Sequence, residues 1–136
     1  LPRIPVARVK GKTEFYLDSD GRPVPISPTH DSEVPTIIND PNVDRYELLS
    51  ALSIAIAKDS FLASHIGNIQ DNGEEVSMQV IDQNYQIKIK SVDDIQLKFK
   101  KYKAFYAVAK DQGMIVDYSE VALDYSNQII CKRNTL

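Results

Sequence analysis

The stretch SVDDIQLKFKKYKAFYAVAKDQGMIVDYSEVALDYSNQIIC, residues 91–131, decides the fold of this chain. Its first half predicts a long helix, since apolar side chains recur every three or four residues. This apolar stripe consists of Ile95, Phe99, Tyr102, Tyr106 and Ala109. Ser91, with Asp94 three residues later, predicts a capping box at the start of the helix. Gly113 predicts its end, because glycine adopts the left-handed conformation at little cost.

The second half of this stretch predicts one long strand, from Val121 to Cys131, with one apolar face and one polar face. The apolar parity holds Val121, Leu123, Tyr125, Ile129 and Cys131. We expect this C-terminal strand to lie at an edge of the sheet, because no later segment of the sequence can pair with its outer side. The N–H and C=O groups of an edge strand can pair with a strand of another protein. The sequence therefore predicts a protein-binding edge.

Upstream residues predict a second helix and an antiparallel meander. The helix begins at Asp44, where Glu47 completes a second predicted capping box, and it runs to the Lys58-Asp59-Ser60 segment. Its core-facing residues are Leu48, Leu49, Leu52, Ala55 and Ile56. Three strands are then predicted, at residues 66–70, 76–81 and 85–90, and the last two alternate between apolar and polar side chains.

Short extended segments are predicted nearer the start of the chain. They cover residues 3–8, 13–17, 24–26 and 34–38, with Asp20-Gly21 as a hairpin turn. The predicted fold class is therefore α+β. It consists of a mostly antiparallel β-sheet with two amphipathic helices packed on one face and the C-terminal strand at an edge.

Composition narrows the possible functions. A chain of 136 residues with 43% hydrophobic content suits one compact domain. A net charge of −3 gives no basic footprint for nucleic acid. The longest apolar run, residues 51–57, is too short to span a bilayer. Because the sequence begins at Leu1 rather than methionine, we expect it to be a fragment of a longer protein.

No motif predicts catalysis, a metal, a cofactor or a small-molecule ligand. His30 and His65 lack a second histidine or a cysteine at ligand spacing, and a surface or structural role is expected for each. Cys131 has the parity of a small buried hydrophobe, rather than that of a reactive thiol. The lysines at positions 98, 100, 101 and 103 predict a solvated helix face, with attraction of an acidic partner or lipid headgroups as the alternative.

Four blocks in order resemble the extracytoplasmic part of the FtsQ/DivIB family of bacterial cell-division proteins. The first is RIPVAR at residues 3–8, followed by FYLDSDGRPVPI at 15–26, and the second is VPTI at 34–37. The third is AKDSF at residues 57–61. The fourth is the last helix with VALDYSNQIICK at residues 121–132. The chain departs from the family in lacking tryptophan and the glycine that follows the second block.

The resemblance implies a non-catalytic scaffold of the division machinery, or divisome, at the septum. Residues 1–9 would be the end of a POTRA domain and its junction, and residues 10–136 would be the FtsQ-type β domain. The implied partners are FtsB-like and FtsL-like membrane proteins. The resemblance places this domain on the extracytoplasmic (periplasmic) side of the cytoplasmic membrane, anchored by one N-terminal transmembrane helix that lies outside this sequence.

The resemblance also implies where the partner binds, by strand addition to the C-terminal edge strand beside the last helix. The implied partner-binding residues are Tyr125, Ser126, Asn127, Gln128, Ile129, Ile130, Cys131 and Arg133. Tyr125 has a second interpretation as a plain core residue, because its parity is apolar. Two other functions stay open: another POTRA-associated binding module of outer-membrane assembly or secretion, and a small hydrolase.

Overall fold

The structure is a computed structural model that describes residues 4–26, 33–113, 118–125 and 128–133. The strands found within these residues form one sheet. In chain order they are β1 (Pro5–Lys10), β2 (Glu14–Asp18), β3 (Pro23–Val24), β4 (Thr36–Ile38), β5 (Ile66–Asp71), β6 (Val76–Val80), β7 (Gln86–Ile89), β8 (Tyr118–Tyr125) and β9 (Gln128–Arg133). Their spatial order is β3-β2-β1-β4-β5-β6-β7-β8-β9.

Most neighbouring strands in this sheet are antiparallel. Parallel pairing joins β1 to β4, β4 to β5 and β7 to β8. The meander β5-β6-β7 is antiparallel as predicted, and its inward residues Val76, Met78 and Ile87 are fully buried. The predicted α+β class, with a mostly antiparallel sheet and the C-terminal strand at an edge, is therefore confirmed.

The described helices are α1 (Tyr46–Ala57), α2 (Ser60–His65) and α3 (Ile95–Asp111). Helix α1 packs on β1 and β2, whereas α3 packs on β8 and β9. Their apolar stripes and the inward side chains of the strands form one hydrophobic cluster. Fully burying each leucine or isoleucine in such a cluster contributes about 1.5–3 kcal/mol. This burial accounts for the predicted apolar stripe of α3, whose residues Phe99 and Tyr102 are at most 3% exposed.

Both predicted capping boxes are wrong. Helix α3 begins one residue after Asp94, which has a φ of 54° and makes no capping hydrogen bond with its side chain. Ser91 Oγ instead accepts the N–H of Asp93. Helix α1 follows directly from a 3-10 turn at Val43–Arg45, so a turn of helix already precedes it. The predicted end of α3 is confirmed, because Gly113 has a φ of 71°.

Helix α2 was not predicted, because six residues are too few to show a helical period. Asp59 starts it by accepting the N–H groups of Phe61 and Leu62, so the residue that was expected to end one helix caps the next.

The prediction of one strand from Val121 to Cys131 is also wrong. This segment contains two strands, β8 and β9, which pair antiparallel as a hairpin. Val121 lies opposite Cys131, so the parity of the residues is kept in the middle of the hairpin although the chain reverses, whereas a register shift places Tyr125 opposite Gln128. The consequence for the edge is that β9, rather than the start of the predicted strand, is the last member of the sheet.

The predicted domain boundary at residue 9 falls inside β1. This strand pairs with β2 on one side and with β4 on the other. The assignment of residues 1–9 to the end of a POTRA domain stays a prediction.

Candidate partner-binding edge

The candidate site is the outer side of β9. On its inner side, β9 pairs with β8 from Tyr118 opposite Arg133 to Tyr125 opposite Gln128. No other described strand pairs with its outer side. The pairing register shifts twice along this hairpin, between Tyr118 and Glu120 and again between Ala122 and Tyr125. Such bulges bend and twist a strand at a sheet edge.

The structure brings most of the predicted partner-binding residues to this hairpin. Five of them lie in β9: Gln128, Ile129, Ile130, Cys131 and Arg133. Tyr125 is the last residue of β8. Ser126 and Asn127 lie outside the described residues. The role of each as a partner contact stays a prediction.

Asp124, which the sequence placed only on the polar face of the strand, connects this edge to α3. Its carboxylate oxygens accept the backbone N–H of Lys90 at 2.8 and 2.9 Å and that of Ser91 at 3.3 Å. Its Oδ1 also lies 3.3 Å from the Lys98 ammonium, and both side chains are less than 20% exposed. Hydrogen bonds to a charged group contribute about 1.5–3 kcal/mol each. Asp124 therefore holds β8 against the connection that leads into α3.

A buried polar network lies among the aromatic side chains of this half of the domain. The Tyr102 hydroxyl lies 2.6 Å from His65 Nε2 and is also hydrogen-bonded to the Tyr85 hydroxyl. Burial raises the pKa of Tyr85 to about 12 and raises that of Tyr102 as well, so both phenols stay protonated. Burial lowers the pKa of His65, which favours the neutral imidazole. The expected structural role of His65 is therefore consistent with its place in this network.

Cys131 is half-buried and packs against the hydrophobic cluster. Burial raises the pKa of its thiol, and Arg133 opposes this effect. A raised pKa disfavours the nucleophilic thiolate. Lys132 and Arg133, the last two residues of β9, are exposed, and the Lys132 ammonium lies 3.3 Å from the Glu120 carboxylate of β8.

The described residues contain no group of three or more histidine, cysteine and acidic side chains that could hold a metal ion. Among the helices in the described parts of the chain, none combines the length and the apolar content needed to cross a membrane.

The fold and this edge define a class of protein, an α+β sheet domain that ends in an edge strand backed by a helix. Comparison with protein families identifies the particular family. The sequence model described as "FtsQ/DivIB, C-terminal related" matches residues 4–132, which is nearly the whole chain. The chain therefore belongs to the FtsQ/DivIB family, which is a family of bacterial cell-division proteins. A search of curated proteins finds no match.

The sequence could not identify the contacts of Asp124 or the tyrosine–histidine network. Asp124 bonds to residues 33 and 34 positions earlier, and Tyr102 lies 37 positions from His65. Local patterns carry no signal for contacts between such distant residues.

Proposed function

We propose that this domain is a non-catalytic scaffold of the bacterial divisome that binds an FtsB-like protein by strand addition to β9. The observation that carries the proposal is the place of β9 at the end of the sheet, with β8 on one side and no described strand on the other. Membership of a cell-division family supports this function over a module of outer-membrane assembly or secretion.

In this mechanism the backbone of β9 supplies the ladder, and side chains along the hairpin select the partner. The partner segment must become ordered when it binds, which costs entropy and limits the affinity of the isolated domain. We further propose that the full-length protein and its FtsB-like and FtsL-like partners are anchored in the cytoplasmic membrane, with this domain on the periplasmic side. Shared anchoring raises the effective concentration and offsets the ordering cost.

The test is a proline scan of four consecutive β9 residues: Ile129, Ile130, Cys131 and Lys132. Along an antiparallel strand the N–H groups point alternately toward one neighbour and then the other. Proline removes the N–H. We expect proline at every second position to weaken the β8–β9 pairing and destabilise the domain. At the intervening positions the domain should stay folded and lose affinity for the partner.

Binding is measured by titrating the labelled domain with the extracytoplasmic segment of the FtsB-like protein from the same organism. Amide chemical shifts should change at β9 and the facing side of α3. A scan in which every folded proline variant binds as well as the parent would refute strand addition. Shift changes confined to another surface would contradict the site.

A further inference from the structure

A second surface lies between α1 and α3, and we name it the α1–α3 groove. Its cavity of about 280 Å³ is lined by residues of α1, the start of α2 and the first half of α3. Among the residues whose side chains the structure describes, none of β8 or β9 contributes to this lining, so the groove is separate from that part of the edge. Phe99 and Leu62 form a buried apolar floor, and the side chains of Lys58, Lys100 and Lys103 stand around it.

Both carboxylate oxygens of Asp59, the acid of the groove, accept hydrogen bonds. Its Oδ1 accepts the N–H of Phe61 at 2.9 Å and that of Leu62 at 3.1 Å. Its Oδ2 is hydrogen-bonded to the Lys103 ammonium. Asp59 therefore balances the charge of Lys103.

Lys58 and Lys100 keep an uncompensated positive charge on the two walls of the groove. Both side chains are exposed, and neither makes an ion pair with any residue in the described part of the chain. This local excess of two positive charges contrasts with the net charge of −3 for the whole chain. Two ammonium groups facing one cleft complement a carboxylate that enters it.

We propose that the α1–α3 groove binds an acidic segment of a partner protein, with a carboxylate between Lys58 and Lys100 and its methylene stem over Phe99. A protein segment fits better than a bilayer because the two charges flank a concave cleft, which a flat lipid surface does not enter. This second contact would operate alongside strand addition at β9 and does not depend on it.

The probe is a capped six-residue peptide of alternating glutamate and leucine, titrated into the labelled domain. We expect saturable amide shift changes at residues 55–62 and 96–103. The same peptide with glutamine in place of glutamate should produce none. The double variant Lys58→Glu/Lys100→Glu should bind about tenfold more weakly, since two attractions become repulsions.

The matched control is Lys10→Glu/Lys12→Glu, which changes the net charge equally at exposed residues outside the groove. We expect its affinity to stay within about twofold of that of the parent. Thermal unfolding of both double variants checks that the domain stays folded. If Lys58→Glu/Lys100→Glu unfolds the domain, Lys58→Met/Lys100→Met replaces it in the titration.

Three results would overturn the proposal: equal shifts with the glutamine peptide, equal losses in the two double variants, or no shifts in the groove. Vesicles of phosphatidylglycerol test whether the groove binds an anionic lipid headgroup instead of a protein carboxylate. If wild type binds these vesicles through Lys58 and Lys100 but not the peptide, the groove recognises lipid and not protein.

Discussion

The two edges of the sheet differ in length and in chemistry. At one end, β3 has two residues, and one of them is Pro23, which has no N–H to extend a ladder. At the other end, β9 has six residues and no proline. Natural sheets protect their edges with short strands and prolines. The comparison teaches that this chain protects one edge through its own sequence and leaves the other suited to a partner.

The layers behind the two edges differ as well. Helix α1 covers β1 and β2, next to the short edge, with apolar side chains such as Leu49 and Leu52. Helix α3 covers β8 and β9 next to the long edge with Phe99 and Tyr102, and the Asp124 carboxylate of β8 adds hydrogen bonds to Lys90 and Ser91. Apolar packing is non-directional, whereas hydrogen bonds fix one arrangement. The long edge is therefore held in a defined position by contacts on its inner side.

The largest expected effect is a loss of stability in the apolar core under α1, next to the short edge. Leu52→Ala removes a fully buried side chain from the core and should lower the free energy of unfolding by about 2–5 kcal/mol. Because Leu52 lies on the helix that covers the short edge, the affinity of the folded variant for a β9-binding partner should stay within about twofold. Urea unfolding and partner titration measure the two quantities.

Leu97→Ala makes the same chemical change at a side chain that is 51% exposed on α3. Its effect on stability should stay within about 0.5 kcal/mol. If Leu52→Ala instead lowers the affinity for the β9-binding partner as strongly as proline in β9 does, the two edges are not independent as proposed.

A smaller loss of stability is expected when the hydrogen bonds of Asp124, next to the long edge, are removed. Asp124→Ala leaves the N–H groups of Lys90 and Ser91 without their acceptor, and we expect a loss of about 1–3 kcal/mol in unfolding free energy. Affinity at β9 should fall too, because β8 is no longer tied to the connection into α3. Asp124→Asn keeps an acceptor oxygen and should lose less of both.

Asp111→Ala is the matched control, since it removes an exposed carboxylate from the end of α3. Asp124→Ala variants that behave like Asp111→Ala in both measurements would show that the long edge does not depend on this anchor.

Much of the fold was predictable from the sequence. The alternation in Val76–Val80 and Gln86–Ile89 predicted the meander, since a half-buried strand has a period of two. The stripe of α3 predicted a helix that covers the sheet. The same rule failed for the hairpin, because residues of one parity, such as Val121 and Cys131, lie opposite each other after the strand turns back. The alternation of apolar and polar residues therefore does not reveal that the chain reverses between Tyr125 and Gln128.

What could not be predicted depends on contacts between distant segments. The parallel pairing of β1 with β4 places Arg8 opposite Thr36, although β2 and β3 lie between them in the sequence, and no local pattern specifies that register. The α1–α3 groove depends on Lys58 and Lys100, which the sequence places 42 positions apart. For Lys100 the sequence offered only a general alternative, attraction of an acidic partner or lipid headgroups, and for Lys58 it offered none.

The smallest expected effect concerns His65, the histidine of the buried polar network with Tyr102 and Tyr85. His65 is 6% exposed, its ring stacks on Phe61 with centroids 4.6 Å apart, and it meets the edge of Tyr106 at 4.7 Å. Burial lowers its pKa; Asp82 opposes this effect and Lys110 adds to it. The folded state therefore prefers neutral His65, whereas the unfolded chain binds a proton near its ordinary pKa of about 6.5.

Stability from this preference is complete above about pH 6.5 and is lost as the pH falls through the lowered pKa of His65. The urea midpoint of the parent should therefore fall between about pH 7.5 and about pH 5, and that of His65→Gln should fall less. His30→Gln, which removes the second histidine of the chain, should follow the parent. Hydrogen exchange at the acidic end should rise first in α3 and β8, because Tyr102 links His65 to that side of the sheet. Equal slopes for the parent and His65→Gln would exclude His65 as the group that makes the stability of the domain sensitive to acid.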